Sequence, residues 1–288
     1  MPMQNHIRNP FEMFVEQFSL AVSDAAHSIH VGPHAAADHA APRIRRIQAR
    51  DLWEALRGGV GDFGASRDDV LFIGLVYPIA GLVLFALLLD RDLLPLIFPL
   101  ASGFALIGPL AAIGLYEISR RREQGLPVSW WNAFGVFRSP ALASIFEMGL
   151  ILLAVFLAWL AAAYGLYAVT LGPAPPASAS AFLREVFTTG AGWTMIVAGV
   201  GVGFLFAVVA LAISVVSFPL LLDRGGGVGR AIATSVQAVR ENPRTMGLWG
   251  LIVAAGLVLG SIPALAGLIV VVPVLGHATW RLYRKVVV

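Results

Sequence analysis

Cysteine is absent from the 288 residues, which excludes disulfides, thiolate metal sites, iron–sulfur ligation and cysteine nucleophiles. Charge is also scarce. Only 13% of residues are charged and 58% are hydrophobic, whereas soluble domains average roughly 25% charged and roughly 45–50% apolar. A membrane protein is the economical reading. Lysine is nearly missing, because of the 20 basic residues only Lys285 is not arginine. Residues 1–41 hold no uninterrupted apolar run ahead of a small-residue cleavage site. No secretory signal is therefore expected, and the first 69 residues are expected to stay on the cytoplasmic side.

What the chain has is long apolar runs. A membrane-spanning helix needs about 20 mainly apolar residues, at about 1.5 Å per residue across roughly 30 Å of hydrocarbon. Residues 70–89, 93–118, 141–167 and 193–222 each qualify. The run from Met246 to Tyr283 is too long for one ordinary span and just long enough for two, 246–260 and 264–283, around Gly260-Ser261-Ile262-Pro263. A tight hairpin is expected there; one tilted helix with a re-entrant piece is the alternative. The expected fold class is all-α, a polytopic helical bundle of about six spans arranged as hairpins.

Arginine placement orients these spans. Arg43, Arg45, Arg46, Arg50, Arg57 and Arg67 precede the first, Arg120 to Arg122 and Arg138 follow the second, and Arg224, Arg230, Arg240 and Arg244 follow the fourth. Arg281, Arg284 and Lys285 end the chain, while the opposite loops hold only Arg91 and Arg184. The positive-inside rule then puts both termini in the cytoplasm of an inner, cytoplasmic membrane. Trp159, Tyr164, Tyr167 and Trp193 are expected at the outer interface, and Trp130, Trp131, Trp249, Trp280 and Tyr283 at the inner one.

Each cytoplasmic connection carries an amphipathic stretch ahead of a span. Leu52, Trp53, Leu56, Val60 and Phe63 follow one helical face; Trp130, Trp131, Phe134 and Phe137 follow a second; Ile232, Val236 and Val239 follow a third. Three tandem units, each an interfacial helix and two spans, are the expectation within a membrane domain of residues 42–288. Ahead of it, residues 1–41 read as an amphipathic segment with an apolar stripe (Phe11, Phe14, Val15, Phe18, Val22) and a flexible His/Ala/Pro linker. The acidic face of that stripe, Glu12 and Glu16, suits a protein surface better than anionic lipid.

Few residues suggest chemistry. His27, His30, His34 and His39 could gather a transition metal if the linker wrapped round it, but a mobile linker without a metal is the default. Arg224-Gly225-Gly226-Gly227-Val228-Gly229-Arg230 looks superficially like a phosphate-cradling loop. It lacks the lysine–serine pair and the preceding strand of a nucleotide site. Contacts from Arg120, Arg121, Arg122, Arg224 and Arg230 to lipid phosphates are the milder use. Glu147, about 10 Å inside the third span by helical rise, is the conspicuous intramembrane acid, and His277 lies at a comparable depth on the last span. They form a candidate polar pair that could bind a proton or cation. Snorkelling of Glu147 to the inner interface is the plainer alternative. Gly199, Gly203, Gly256 and Gly260 should let helices approach closely.

Several strings resemble a known family: Pro42-Arg43-Ile44-Arg45-Arg46-Ile47, the run Gly108-Pro109-Leu110-Ala111-Ala112-Ile113-Gly114-Leu115-Tyr116-Glu117-Ile118-Ser119-Arg120-Arg121-Arg122-Glu123, Trp131-Asn132-Ala133-Phe134, and Pro273-Val274-Leu275-Gly276-His277-Ala278-Thr279-Trp280. Over about residues 42–286 the chain is similar to the bacterial integral-membrane family catalogued as domain of unknown function 2189. That resemblance implies an architecture and no activity. Some members are labelled as an oxidase subunit, but haem and copper ligation needs several intramembrane histidines, and the membrane domain offers only His277. The expectation is a non-catalytic membrane protein with an accessory, assembly or scaffold role, without cofactor or nucleic acid, contacting membrane lipids and a membrane-protein partner or a second copy. The alternative is a small transporter or permease coupled through Glu147.

Overall fold

The computed structural model describes residues 42–65, 78–79, 81–82, 86, 91–263 and 265–288. The N-terminal stripe, His27, His30, His34, His39 and nearly all of the expected first span, 70–89, lie outside the described residues. Within them the chain is all-helical. The one extended pairing is an isolated antiparallel bridge between Ile44 and Val287.

Helix α1 runs Ala49–Ala65. A 3-10 turn, Arg91–Leu96, leads into α2, Ile97–Ala111, and α3, Ile113–Glu123. A second 3-10 segment, Trp130–Arg138, precedes α4, Leu142–Thr170, which is followed by α5, Ala179–Thr188, and α6, Gly190–Ser214. Then come α7, Ser217–Arg224, α8, Val228–Glu241, α9, Pro243–Ser261, and α10, Leu268–Val286. Among the described residues three stretches are long and apolar enough to cross a membrane: α4, the α6–α7 stretch Gly190–Arg224, and α9. They cover the expected 141–167, 193–222 and 246–260. The expected 93–118 is divided instead between α2 and α3 at Ala112, three residues after Pro109. The run 246–283 breaks at residues 262–267, between α9 and α10.

The amphipathic stretches follow their apolar periodicity only in part. α1 begins where the Gln48 N–H donates to Asp51 Oδ2 at 2.8 Å, half of a capping box. It buries Leu52, Ala55, Gly59 and Asp62; of the predicted face Leu52 is buried and Leu56 and Phe63 pack against the core, while Trp53 and Val60 are exposed. α8 likewise buries Ala231, Thr234, Ser235 and Ala238 and leaves Ile232, Val236 and Val239 at its flanks. Small and hydroxylated residues allow close helix approach and cross-helix hydrogen bonds. Ser235 Oγ accepts from the buried Val216 N–H at 3.2 Å, in the break between α6 and α7. The Trp130–Arg138 segment is 3-10, not α. Its three-residue repeat puts Phe134 and Phe137 on one exposed edge, with ring centroids 6.3 Å apart.

Close packing at glycine follows the sequence expectation. A Cβ on Gly203 would lie 3.1 Å from the Trp159 ring, one on Gly199 3.5 Å from Leu166, and those on Gly256 and Gly260 within 3.3 Å of α10 side chains. The aromatics expected at the two interfaces divide between core and surface. Trp159, Tyr167, Trp249, Trp280 and Tyr283 are core residues, buried by packing against other helices; Tyr164 and Trp193 are exposed. Trp159 is held by its Nε1–H donating to the Pro99 carbonyl at 3.0 Å, so it ties α4 to α2.

Residues 42–48 are clamped between two elements. On one side they pair with the C-terminus, with Arg45 N–H donating to Val286 O at 2.8 Å and Val288 N–H to Arg43 O at 3.0 Å. On the other, buried Asn242 at the α8–α9 junction accepts from the Ile47 N–H at 2.8 Å and donates to the Arg45 carbonyl at 3.2 Å. Pro243 then starts α9 at a position where its missing N–H has no intrahelical partner to lose.

Candidate functional site

The polar chemistry of the described residues gathers along the C-terminal half of α10, where α1, α3 and α7 meet it. Gly59 makes this possible. Its position would bring an added Cβ within 2.6 Å of the Val274 carbonyl and 2.8 Å of Ala278, so α1 lies almost backbone to backbone on α10. One turn further, Asp62, 3% exposed, faces Arg281 in a two-point fork: Nε to Oδ2 at 2.9 Å and Nη2 to Oδ1 at 2.8 Å. Such bidentate pairs fix both distance and plane. From α3, Arg122 Nη1 donates to the Asp62 carbonyl at 2.6 Å and approaches Oδ1 at 3.4 Å. One acid thus joins three helices.

Ser119 and His277 complete the inner end. Ser119 Oγ donates to Asp62 Oδ2 at 3.2 Å and lies 2.7 Å from His277 Nδ1. With the single hydroxyl proton on Asp62, the serine oxygen accepts from Nδ1–H, which leaves Nε2 of His277 as the unprotonated nitrogen. That atom is buried without a hydrogen-bond partner. His277 itself is 0% exposed.

Two further clusters continue toward the end of α10. Glu123 accepts from Trp280 Nε1–H and Arg284 Nε, both at 3.0 Å, while Asp223 accepts from Tyr283 Oη–H at 2.7 Å and Arg284 Nη1 at 3.2 Å. Lys285 Nζ reaches Glu54 at 2.5 Å and Asp51 at 3.6 Å. Burial raises the Asp51 pKa, but the Gln48 N–H, Lys285 and Arg45 outweigh it and hold the carboxyl below its ordinary value. This arrangement binds elements together. Its acids are matched by guanidinium, ammonium, indole or hydroxyl donors.

The residues singled out from sequence fare unequally. Glu147 and His277 are not brought together: Glu147 is exposed on α4, and His277 is sealed against Ser119. Of the arginines assigned to lipid phosphates, Arg120 pairs with buried Glu117 at 2.7 Å, Arg121 donates to the Pro127 carbonyl at 3.3 Å, and Arg122 is held by Asp62. Arg224 lies 3.8 Å from Asp223. Arg230 folds over Gly226, whose φ of +95° and missing Cβ leave it room. Asp62, Ser119, Arg281 and Glu117 were not anticipated as site residues. The signal for Asp62 is its spacing, three residues beyond Gly59 in the series 52, 55, 59, 62. That places an acid on the face with the smallest side chains.

Between α2, α4 and α6 lies an apolar groove of about 240 Å³ lined by Phe98, Ser102, Trp159, Gly203 and Phe204 among others. Its hydroxyl, Ser102, donates to the Pro99 carbonyl at 3.1 Å.

The described residues hold three long apolar helices, and part of the chain matches a known family model. Residues 97–223 match DUF2189, described as a predicted integral membrane protein. The DUF2189 match contains Ser119, Arg122, Glu117 and Asp223, and two of the strings that carried the resemblance, 108–123 and 131–134. It stops short of α1 and α10, so Asp62, His277 and Arg281 lie outside it. No curated protein and no solved structure matches the chain.

Proposed function

We propose that this is a non-catalytic inner-membrane protein with an accessory, assembly or scaffold role, spanning the bilayer about six times with both termini in the cytoplasm. The observation that carries the reading is the engagement of Asp62 in the α1–α3–α10 network. Asp62 is matched by two guanidinium groups and a hydroxyl, and His277 is 0% exposed. A general acid or base needs access to a reacting group; these residues instead hold three helices in register. Outward, α6 carries large apolar side chains such as Val197, Val200 and Phe204, which suit lipid or a partner helix. Affinity purification in a mild detergent is expected to recover a membrane protein in fixed stoichiometry, or the chain as a homo-oligomer. Repeated recovery as a lone monomer would overturn the role.

A transporter coupled through Glu147 is the second reading. What favours it is a carboxylate without a hydrogen-bond or ion-pair partner among the described residues, in the second turn of a helix long enough to span a bilayer. Proton or cation flux in proteoliposomes that disappears in Glu147→Gln would support it; flux unchanged by that substitution removes the coupling role.

A further inference from the structure

The face of α1 opposite its packing face is the least explained surface of the protein. At 100° per residue, Leu52, Ala55, Gly59 and Asp62 cluster toward α10, and Arg50, Trp53, Arg57 and Val60 form a stripe on the other side. Trp53 is 59% exposed and Val60 56%. Arg50 and Arg57 are exposed, and among the described residues neither has an acidic partner. The Arg57 guanidinium sits 5.8 Å from the Trp53 ring centroid. The acids that could neutralise this stripe are engaged elsewhere: Asp51 with Arg45 and Lys285, Glu54 with Lys285. The stripe is therefore both apolar and uncompensated in positive charge.

We infer that this stripe lies in the headgroup layer and binds the phosphates of anionic phospholipids through Arg50 and Arg57, with Trp53 between them and Val60 beyond Arg57 entering the acyl boundary. A tryptophan flanked by arginines suits that layer, where an amphipathic ring and cationic heads are each partly satisfied. Chain geometry agrees. α1 ends at Ala65, five residues before the apolar run that begins at Val70, and five extended residues reach at most about 18 Å. Of the arginines that sequence alone assigned to lipid, Arg120, Arg122 and Arg224 pair with acids of the protein; Arg50 and Arg57 do not. The inference rests on the membrane reading above, though not on the scaffold role.

The absence of cysteine allows a clean test, because a single introduced thiol is the only labelling site. Full-length Val60→Cys, carrying an environment-sensitive fluorophore, is placed in nanodiscs of phosphatidylcholine with a minor fraction of phosphatidylglycerol, one of the two lipids bearing a shallow spin-label quencher. The anionic quencher is expected to quench at least about twice as strongly as the zwitterionic one at low salt, since each basic residue near the surface contributes about 1 kcal/mol toward anionic lipid. The ratio should fall toward one in Arg50→Gln/Arg57→Gln and at about 1 M salt, where screening acts within about 3 Å. Equal quenching by both lipids overturns phosphate selection, and quenching by neither places the stripe in water or against protein. A matching probe at Val197→Cys on α6, with the quencher on the acyl chain, separates the failures. Quenching there but not at Val60 overturns this inference alone; none at either site overturns the membrane reading as well.

Discussion

Replacing Gly59 by alanine tests the packing on which the whole polar network depends, because two effects of known size oppose each other. Alanine is the better helix former by about 1 kcal/mol, so on an unpacked helix the change should stabilise. Against α10 it should not. The added Cβ falls 2.6 Å from the Val274 carbonyl oxygen and 2.8 Å from Ala278 N and Cβ. These are backbone atoms or a methyl fixed to the backbone, so no side-chain rotation relieves the contact. The helices must part by several tenths of an ångström, and overpacking of this kind costs about 1–3 kcal/mol. Separation would also stretch the Asp62–Arg281 fork one turn away. A net loss of up to about 2 kcal/mol is expected after the propensity gain. Gly61→Ala on the same helix is the control, since nothing lies within 4 Å of its Cβ, and it should gain about 0.5–1 kcal/mol. Denaturation by sodium dodecyl sulfate in mixed micelles, followed by tryptophan emission, reads both. If Gly59→Ala is stabilised as much as Gly61→Ala, α1 does not pack on α10 as described.

Asp62→Asn keeps the shape but removes the carboxylate charge that Arg281 and Arg122 both contact; because both guanidinium groups are partly exposed, the loss should lie near about 2 kcal/mol rather than at the top of the range for buried pairs. A double-mutant cycle with Arg281→Gln should return a coupling of at least about 1 kcal/mol, and none would remove the clamp. Asn242→Ala strands the Ile47 N–H and should cost about 1–3 kcal/mol, with faster proteolysis around residues 42–48 as a second readout; wild-type protection would contradict the pinning of that segment. Asp51, with its pKa held below the ordinary 3.8, contributes stability that is present above that value and is lost as pH falls through it toward the folded pKa. Asp51→Asn should therefore flatten the decline in stability below about pH 4. An unchanged acid limb would show that the carboxylate contributes nothing.

Apolar run length made the helical class and the places of the long helices legible in advance. That property needs no tertiary information, because a backbone in hydrocarbon must satisfy its own hydrogen bonds and helices do so locally. The close-packing glycines were legible for the same local reason. The inward faces of α1 and α8 were legible only in part. Apolar periodicity pointed to Leu52, Leu56 and Phe63, which the structure packs inward, but also to Trp53 and Val60, which are exposed, and it missed Gly59, Asp62, Thr234 and Ser235. Close backbone approach and hydrogen bonding, rather than apolar area alone, decide those positions.

Sequence by itself thus determined a cysteine-free, arginine-marked, helical membrane chain, and it pointed to His277 without its partners. Only the tertiary structure decided that His277 meets Ser119 rather than Glu147, and that Asp62 joins residues 219 positions apart in the chain. Pairing over such a separation depends on which helix faces touch, and that follows from the fit of Gly59 against Ala278, not from any local pattern.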